Sequence, residues 1–193
     1  MDAGVLASIA KWPNVPEVYG WLSLTARGEW RLRGEPIANA AIREFIGRNY
    51  AADAQGRWYF QNGPQRVYVT LELAPWVYGL HPDGRMRTFT GIVPRRLLAA
   101  ALVDGESFAL LTELGAGNVD DRDAERFLAA LADGEGAPLD EAAIERALGG
   151  DRPLWIRAAQ LGLAEAIVPV QRLGIEALAA RFGFVAAPQA PMR

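Results

Sequence analysis

In "QRVYVTLE" Arg66, Tyr68, Thr70 and Glu72 take alternate positions, and Arg57, Tyr59 and Gln61 do the same in "GRWYFQN" just before it. A period of two puts each set on one strand face, opposite Trp58, Phe60 and Val67. Guanidinium forks bind phosphate or carboxylate through paired hydrogen bonds, and aromatic rings stack on planar groups. The chemistry such a face suits is recognition of a small anionic or nucleotide-like ligand. Arg33, on an earlier strand, extends the positive set. Gln61, Asn62 and Gln65 flank the Gly63-Pro64 turn, where their amides can read polar edges. Trp76 offers a further ring, and Arg157 can reach in from a second unit. The expected ligand-binding residues are therefore Arg33, Tyr59, Gln61, Asn62, Gln65, Arg66, Tyr68, Trp76 and Arg157. Arg and Tyr also populate solvated sheet faces and interdomain packing. A protein-interaction module using the outward sheet face is thus an alternative, and a hydrolase using carboxylates such as Glu35 or Glu72 is a third.

Other constellations point away from catalysis. The chain has no cysteine, which excludes disulfides, thiol nucleophiles and Cys-ligated metal centres. His81 is the only histidine and sits in His-Pro-Asp-Gly, a turn sequence, so a Ser-His-Asp triad has little to build on. Ser8, Ser23 and Ser107 all lie outside a Gly-x-Ser-x-Gly elbow. Asp120, Asp121 and Asp123 could hold magnesium or calcium, yet they directly precede "AERFLAALA", where acids favour a helix N-terminus. They read as a helix start. "GAGN" at 115–118 lacks both the later glycine of a dinucleotide loop and the Gly-Lys-Ser/Thr of a P-loop, and reads as a loop. No catalytic residue, metal or cofactor is expected.

A formal charge of −3 gives no global attraction to nucleic acid or anionic lipid. Lys11 is the only lysine among the 20 basic residues, a bias that reads as codon usage. "MDAGVLASIAKW" lacks the basic start and long apolar run of a signal peptide, and reads as the first turns of a helix. No window offers the roughly 18 apolar residues of a membrane span. A cytoplasmic protein is expected, with neither a nucleic acid polymer nor a membrane as partner.

The elements that must position the Arg/Tyr face follow from periodicity. Residues 1–16 read as a helix and a Pro-rich lead. "GWLSL" and "GEWRLRG" form a hairpin across Ala26-Arg27-Gly28, and Ile42, Phe45 and Ile46 mark an amphipathic helix with Asn39 as its N-cap. Strands follow at "GRWYF", "QRVYVTLEL", "PWVYGL" and "RMRTFTGIV", closing a first α/β unit over 17–93. Residues 94–193 then read as a second unit. There "PRRLLAAAL" looks helical and "ESFALLTEL" a strand, with a helical insertion over 118–150. "RPLWIRAA", "GLAEAIVPV", the helix "RLGIEALAARF" and a closing "GFVAA" return to mixed α and β. "EWRLRGEPIANAAIREFIGRNYAADAQGRWYF" and "LAEAIVPVQRLGIEALAARFGFVAA" share the order strand, Pro with a branched apolar residue, helix, strand. The fold class is α+β: two related α/β units, each a mostly antiparallel sheet with a packed helix, plus extra helices in the middle segment.

Gly34-Glu35-Pro36-Ile37, Gly56-Arg57-Trp58-Tyr59, Pro64 and Ala74-Pro75-Trp76-Val77 carry a resemblance. Residues 21–80 resemble the bacterial family catalogued as domain of unknown function 1285, or a sibling of it. "PLWIRAAQLGLAEAIVPVQRLGIEALAARFGFVAAP" is similar to that family's closing segment, whereas residues 104–150 depart from it. The resemblance implies a duplicated α/β architecture, a C-terminal domain loosely similar to pleckstrin-homology folds, and a ligand site between the domains. It implies no reaction; a regulatory or signal-transduction role fits.

Overall fold

The computed structural model describes residues 1–12 and 15–191, so Pro13 and Asn14 of the expected Pro-rich lead lie outside the described residues. The fold is α+β and divides into two units, one comprising residues 1–75 with the chain from Gly183 onward, the other Trp76–Phe182.

The first unit contains α1 (Ala3–Lys11), β1 (Val18–Leu24), β2 (Trp30–Leu32), β3 (Glu35–Pro36), α2 (Ala40–Arg48), β4 (Tyr50–Ala52), β5 (Trp58–Asn62) and β6 (Gln65–Leu71). Its six-stranded sheet runs β3-β2-β1-β6-β5-β4. All neighbours are antiparallel except β1 and β6. The Asn39 side chain accepts from Ile42 N (3.2 Å) and so caps α2. Ile46 is buried, and Phe45 meets Phe60 edge to face with centroids 5.5 Å apart. On the same side of the sheet Trp30 and Tyr50 lie 5.1 Å apart, and Tyr50 and Trp58 4.8 Å. Trp30 and Tyr50 belong to strands separated by β1, β6 and β5, so the sheet curls around these rings. The Arg/Tyr side is the other face.

The second unit contains β7 (Trp76–Leu80), β8 (Met86–Thr88), β9 (Leu97–Val103), β10 (Ser107–Thr112), β11 (Gly115–Val119), α3 (Ala124–Leu128), β12 (Leu131–Ala132), α4 (Glu141–Gly149), β13 (Trp155–Arg157), β14 (Ile167–Leu173) and α5 (Ile175–Phe182). Its eight-stranded sheet runs β12-β13-β14-β9-β10-β11-β7-β8, with parallel pairs at β14/β9 and β11/β7.

Five expectations are corrected here. "PRRLLAAAL" is strand β9, not helix, because it runs between β10 and β14 and buries Leu97 and residues 100–103. A central strand covered on both faces reads as a continuous apolar run, and its pairing overrides the helix propensity of Leu and Ala. "GAGN" is strand β11, not a loop. β7 and β8 pair into the second sheet through β11, which moves the boundary from 93 to 75. The closing "GFVAA" forms no strand of its own: after α5 the chain rejoins the first unit, where Val185 N donates to Gly56 O (2.9 Å) and Leu71 N to Ala186 O (2.8 Å). In the expected helical insertion, α3 is only five residues long and "LA" after it pairs as β12.

Candidate functional site

Register fixes the shared face. Tyr59 pairs with Tyr68 and Gln61 with Arg66 across β5 and β6, while Phe60 opposes Val67 on the core side. In β1, Val18 pairs with Val67 but Leu22 with Val69, so the register shifts across Tyr19-Gly20-Trp21, with Gly20 at φ +72°. A bulge of this kind re-aims side chains. Leu22 goes into the core, Trp21 is 47% exposed, and Tyr19 lies flat on Tyr68 with centroids 4.6 Å apart.

The Tyr68 hydroxyl accepts from Arg57 Nη2 (2.9 Å) and faces both Asp53 Oδ2 (3.1 Å) and Glu17 Oε1 (3.2 Å). One proton serves two carboxylates. Burial pushes the Tyr68 phenol up, and the hydrogen bond to Asp53 pushes it further. Asp53 closes the turn between β4 and β5 by accepting from Gln55 N (2.9 Å), Arg57 N (3.0 Å) and Arg57 Nε (2.7 Å). Burial raises its pKa, but the Arg57 and Gln55 hydrogen bonds outweigh that and hold it below the ordinary aspartate value. Arg57 also lies over the Tyr68 ring at 4.6 Å.

Arg66 sits differently. Its guanidinium lies 4.8 Å from the Tyr59 ring centroid, and its carboxylate partner Glu17 is 3.8 Å away, with the Arg66 side chain 43% exposed. Tyr19 donates to Glu17 Oε2 (2.6 Å). Glu17 is thus the carboxylate that this corner gathers, paired with Arg66 and accepting from Tyr19.

The structure brings Tyr59, Arg66 and Tyr68 together. The Gln61 side chain is buried and turns back to Gly63 O (2.9 Å), Gln65 donates to Pro16 O (3.1 Å), and Asn62 is exposed at the strand end. Arg33 stands at the β2/β3 turn with φ +50° and its guanidinium 3.9 Å over Trp21. Trp76 and Arg157 belong to the second unit, where Trp76 donates to Leu114 O (2.8 Å) and Arg157 to Ala129 O (2.9 Å). Sequence reasoning missed Glu17, Tyr19 and Asp53. "EVY" carries two of them at a spacing of two, and "DAQG" has the make-up of an Asx turn, which was their only sequence signal.

The other candidates have structural posts. His81 N and O frame the β7/β8 turn through Arg85 O (3.0 Å) and Gly84 N (2.9 Å). Asp120 accepts from Arg122 N (3.0 Å) at the start of a short 3-10 turn, as a helix-start acid does, and Asp123 accepts from Leu80 N (2.8 Å). Glu72 accepts from Ala26 N (3.1 Å) at the first hairpin.

The family model described as "Protein of unknown function (DUF2946)" matches residues 1–189. The chain belongs to that family. Two solved structures are similar to it. A DUF1285 family protein from Silicibacter pomeroyi DSS-3 is 16% identical, over 89% of this chain and 96% of that one, with a TM-score of 0.51. A DUF1285 family protein from Shewanella baltica OS155 is 18% identical, over 56% of this chain and 90% of that one, with a TM-score of 0.43. An uncharacterised family is thus met, as expected, and the likeness to the Silicibacter pomeroyi DUF1285 protein shows the fold alone. No curated protein matches the chain. Among the described residues no helix is long and apolar enough to cross a membrane.

Proposed function

We propose that the protein is a binding protein, regulatory rather than enzymatic, that takes a small anionic, nucleotide-like ligand at the Arg66 corner of its first unit. The observation that supports this reading is the state of Arg66. Its guanidinium lies over Tyr59, yet its carboxylate partner stands beyond hydrogen-bond distance and two-fifths of its side chain is open to water. A phosphate or carboxylate displaces Glu17 and gains charge-assisted hydrogen bonds from the fork. A planar ligand group extends the Tyr19/Tyr68 stack.

A titration of melting temperature with AMP and with inorganic phosphate tests the reading. A ligand at 100 times its dissociation constant adds about 2.7 kcal/mol of stability. Arg66→Gln should abolish the shift, while Arg146→Gln, on exposed α4, leaves it unchanged. No shift with either compound at millimolar concentration, or equal loss in both variants, counts against the site.

The exposed Trp21 under Arg33 favours a second reading, a protein-docking face, because Trp and Arg dominate interface hot spots. Under that reading Trp21→Ala weakens partner binding and leaves AMP binding intact.

A further inference from the structure

A cavity of about 320 Å³ lies within the second unit, at the small end of the range that binds metabolites. Leu102 of β9 pairs with Arg172 of β14, and Val170, two residues earlier, shares that face. With Leu154, which accepts from Val170 N through its carbonyl (2.8 Å), these residues make an apolar floor, in which Leu102 and Leu154 are buried.

The wall is polar. α4 ends at Gly150, in the left-handed region at φ +98°, and the Arg172 guanidinium lies against that glycine. Arg172 Nη2 donates to Ala147 O and Leu148 O, neutralising the negative end of the helix and fixing the fork beside the cavity. Its other N–H groups are not used in those bonds. Next in the chain, exposed Asp151 and half-buried Arg152 also line the cavity, and neither side chain has a hydrogen-bond or ion-pair partner among the described residues.

The unpartnered Asp151 carboxylate beside the unpartnered Arg152 guanidinium and the helix-anchored Arg172, over an apolar floor, complements a zwitterion. We propose that this cavity binds a small apolar α-amino acid, its carboxylate on Arg152 and Arg172, its ammonium on Asp151, and its side chain on Leu102, Leu154 and Val170. A simple carboxylic acid meets the repulsion of Asp151, and a simple amine meets two arginines. Only a molecule carrying both charges satisfies the rim.

Calorimetric titration of the full chain with leucine, isocaproate and isoamylamine tests this. Leucine should bind, with each singly charged analogue at least tenfold weaker. Asp151→Asn should remove the preference for leucine over isocaproate, and Arg152→Gln should weaken leucine about tenfold while circular dichroism stays unchanged. Absence of leucine binding at millimolar concentration, isocaproate binding as tightly as leucine, or indifference to Arg152→Gln would each overturn the assignment.

Discussion

Tyr19 and Tyr68 stack with their planes 10° from parallel, and both hydroxyls reach one carboxylate, Glu17, at 2.6 and 3.2 Å. Glu17 is the anion that the Arg66 corner already holds. Its side chain is 35% exposed, and exposed ion pairs contribute only about 0–1 kcal/mol. Replacing it with glutamine should therefore barely move the melting temperature, yet raise the affinity for phosphate or AMP several-fold. Calorimetry on Glu17→Gln checks this, and unchanged or weaker binding means that Glu17 does not compete for the site.

Tyr68 is 1% exposed, and its hydroxyl joins Arg57 to Asp53. Tyr68→Phe keeps the ring stack but leaves those groups short of a partner, at a cost of about 1–3 kcal/mol. Urea unfolding should show a lower midpoint at an unchanged slope. A variant as stable as the parent would mean that the network carries no stability.

Acid and alkali should act on the same cluster in opposite senses. The depressed pKa of Asp53 means that the folded state favours the carboxylate, so its stabilisation is present at neutral pH and is lost as pH falls below about 4 and through the lower folded value. Asp53→Asn should flatten that acid limb. Tyr50, Tyr68 and Tyr78 have raised values, chiefly through burial, so their stabilisation is complete below about pH 10 and fades as pH climbs through the folded values. Absorbance of the native protein should show these three still protonated where free tyrosine is half ionised. Full ionisation near pH 10 without unfolding contradicts the burial described.

The first unit was legible because its signals are local. Asn39 capping α2 and the alternation of "RWYFQN" with "QRVYV" state their own conformation, and the register that unites Tyr59 with Tyr68 follows from the two-residue Gly63-Pro64 turn. The site was legible only in part. Arg66 and Tyr68 announced themselves by period, whereas Glu17 and Tyr19 reach them through a parallel pairing of β1 with β6 and a bulge that no local pattern encodes. β9 departs from its local propensity for a related reason. "LLAAAL" has helical propensity, and its strand state is set by neighbours from residues 107–112 and 167–173.

Gly117 shows the same long-range control at one atom. A Cβ built there falls 2.5 Å from Tyr78 Cε2, 2.7 Å from Trp76 Cβ and 2.8 Å from Trp76 O, so the strand can lie beside β7 only without a side chain. Trp76 and Tyr78 are themselves locked, the first donating to Leu114 O and the second to Gly115 O and within 2.8 Å of Thr112 Oγ1. They cannot yield cheaply. Overpacking of this kind costs about 1–3 kcal/mol, so Gly117→Ala should lower the melting temperature by several degrees. Gly149→Ala supplies the contrast: its Cβ meets nothing within 4 Å and its position is helical, so the gain in helix propensity should stabilise the protein by up to about 1 kcal/mol. Thermal unfolding of the two variants side by side decides the matter. If both shift alike, the change reflects glycine in general rather than the contact of β11 with Trp76 and Tyr78, and the close approach of the two strands has no energetic weight.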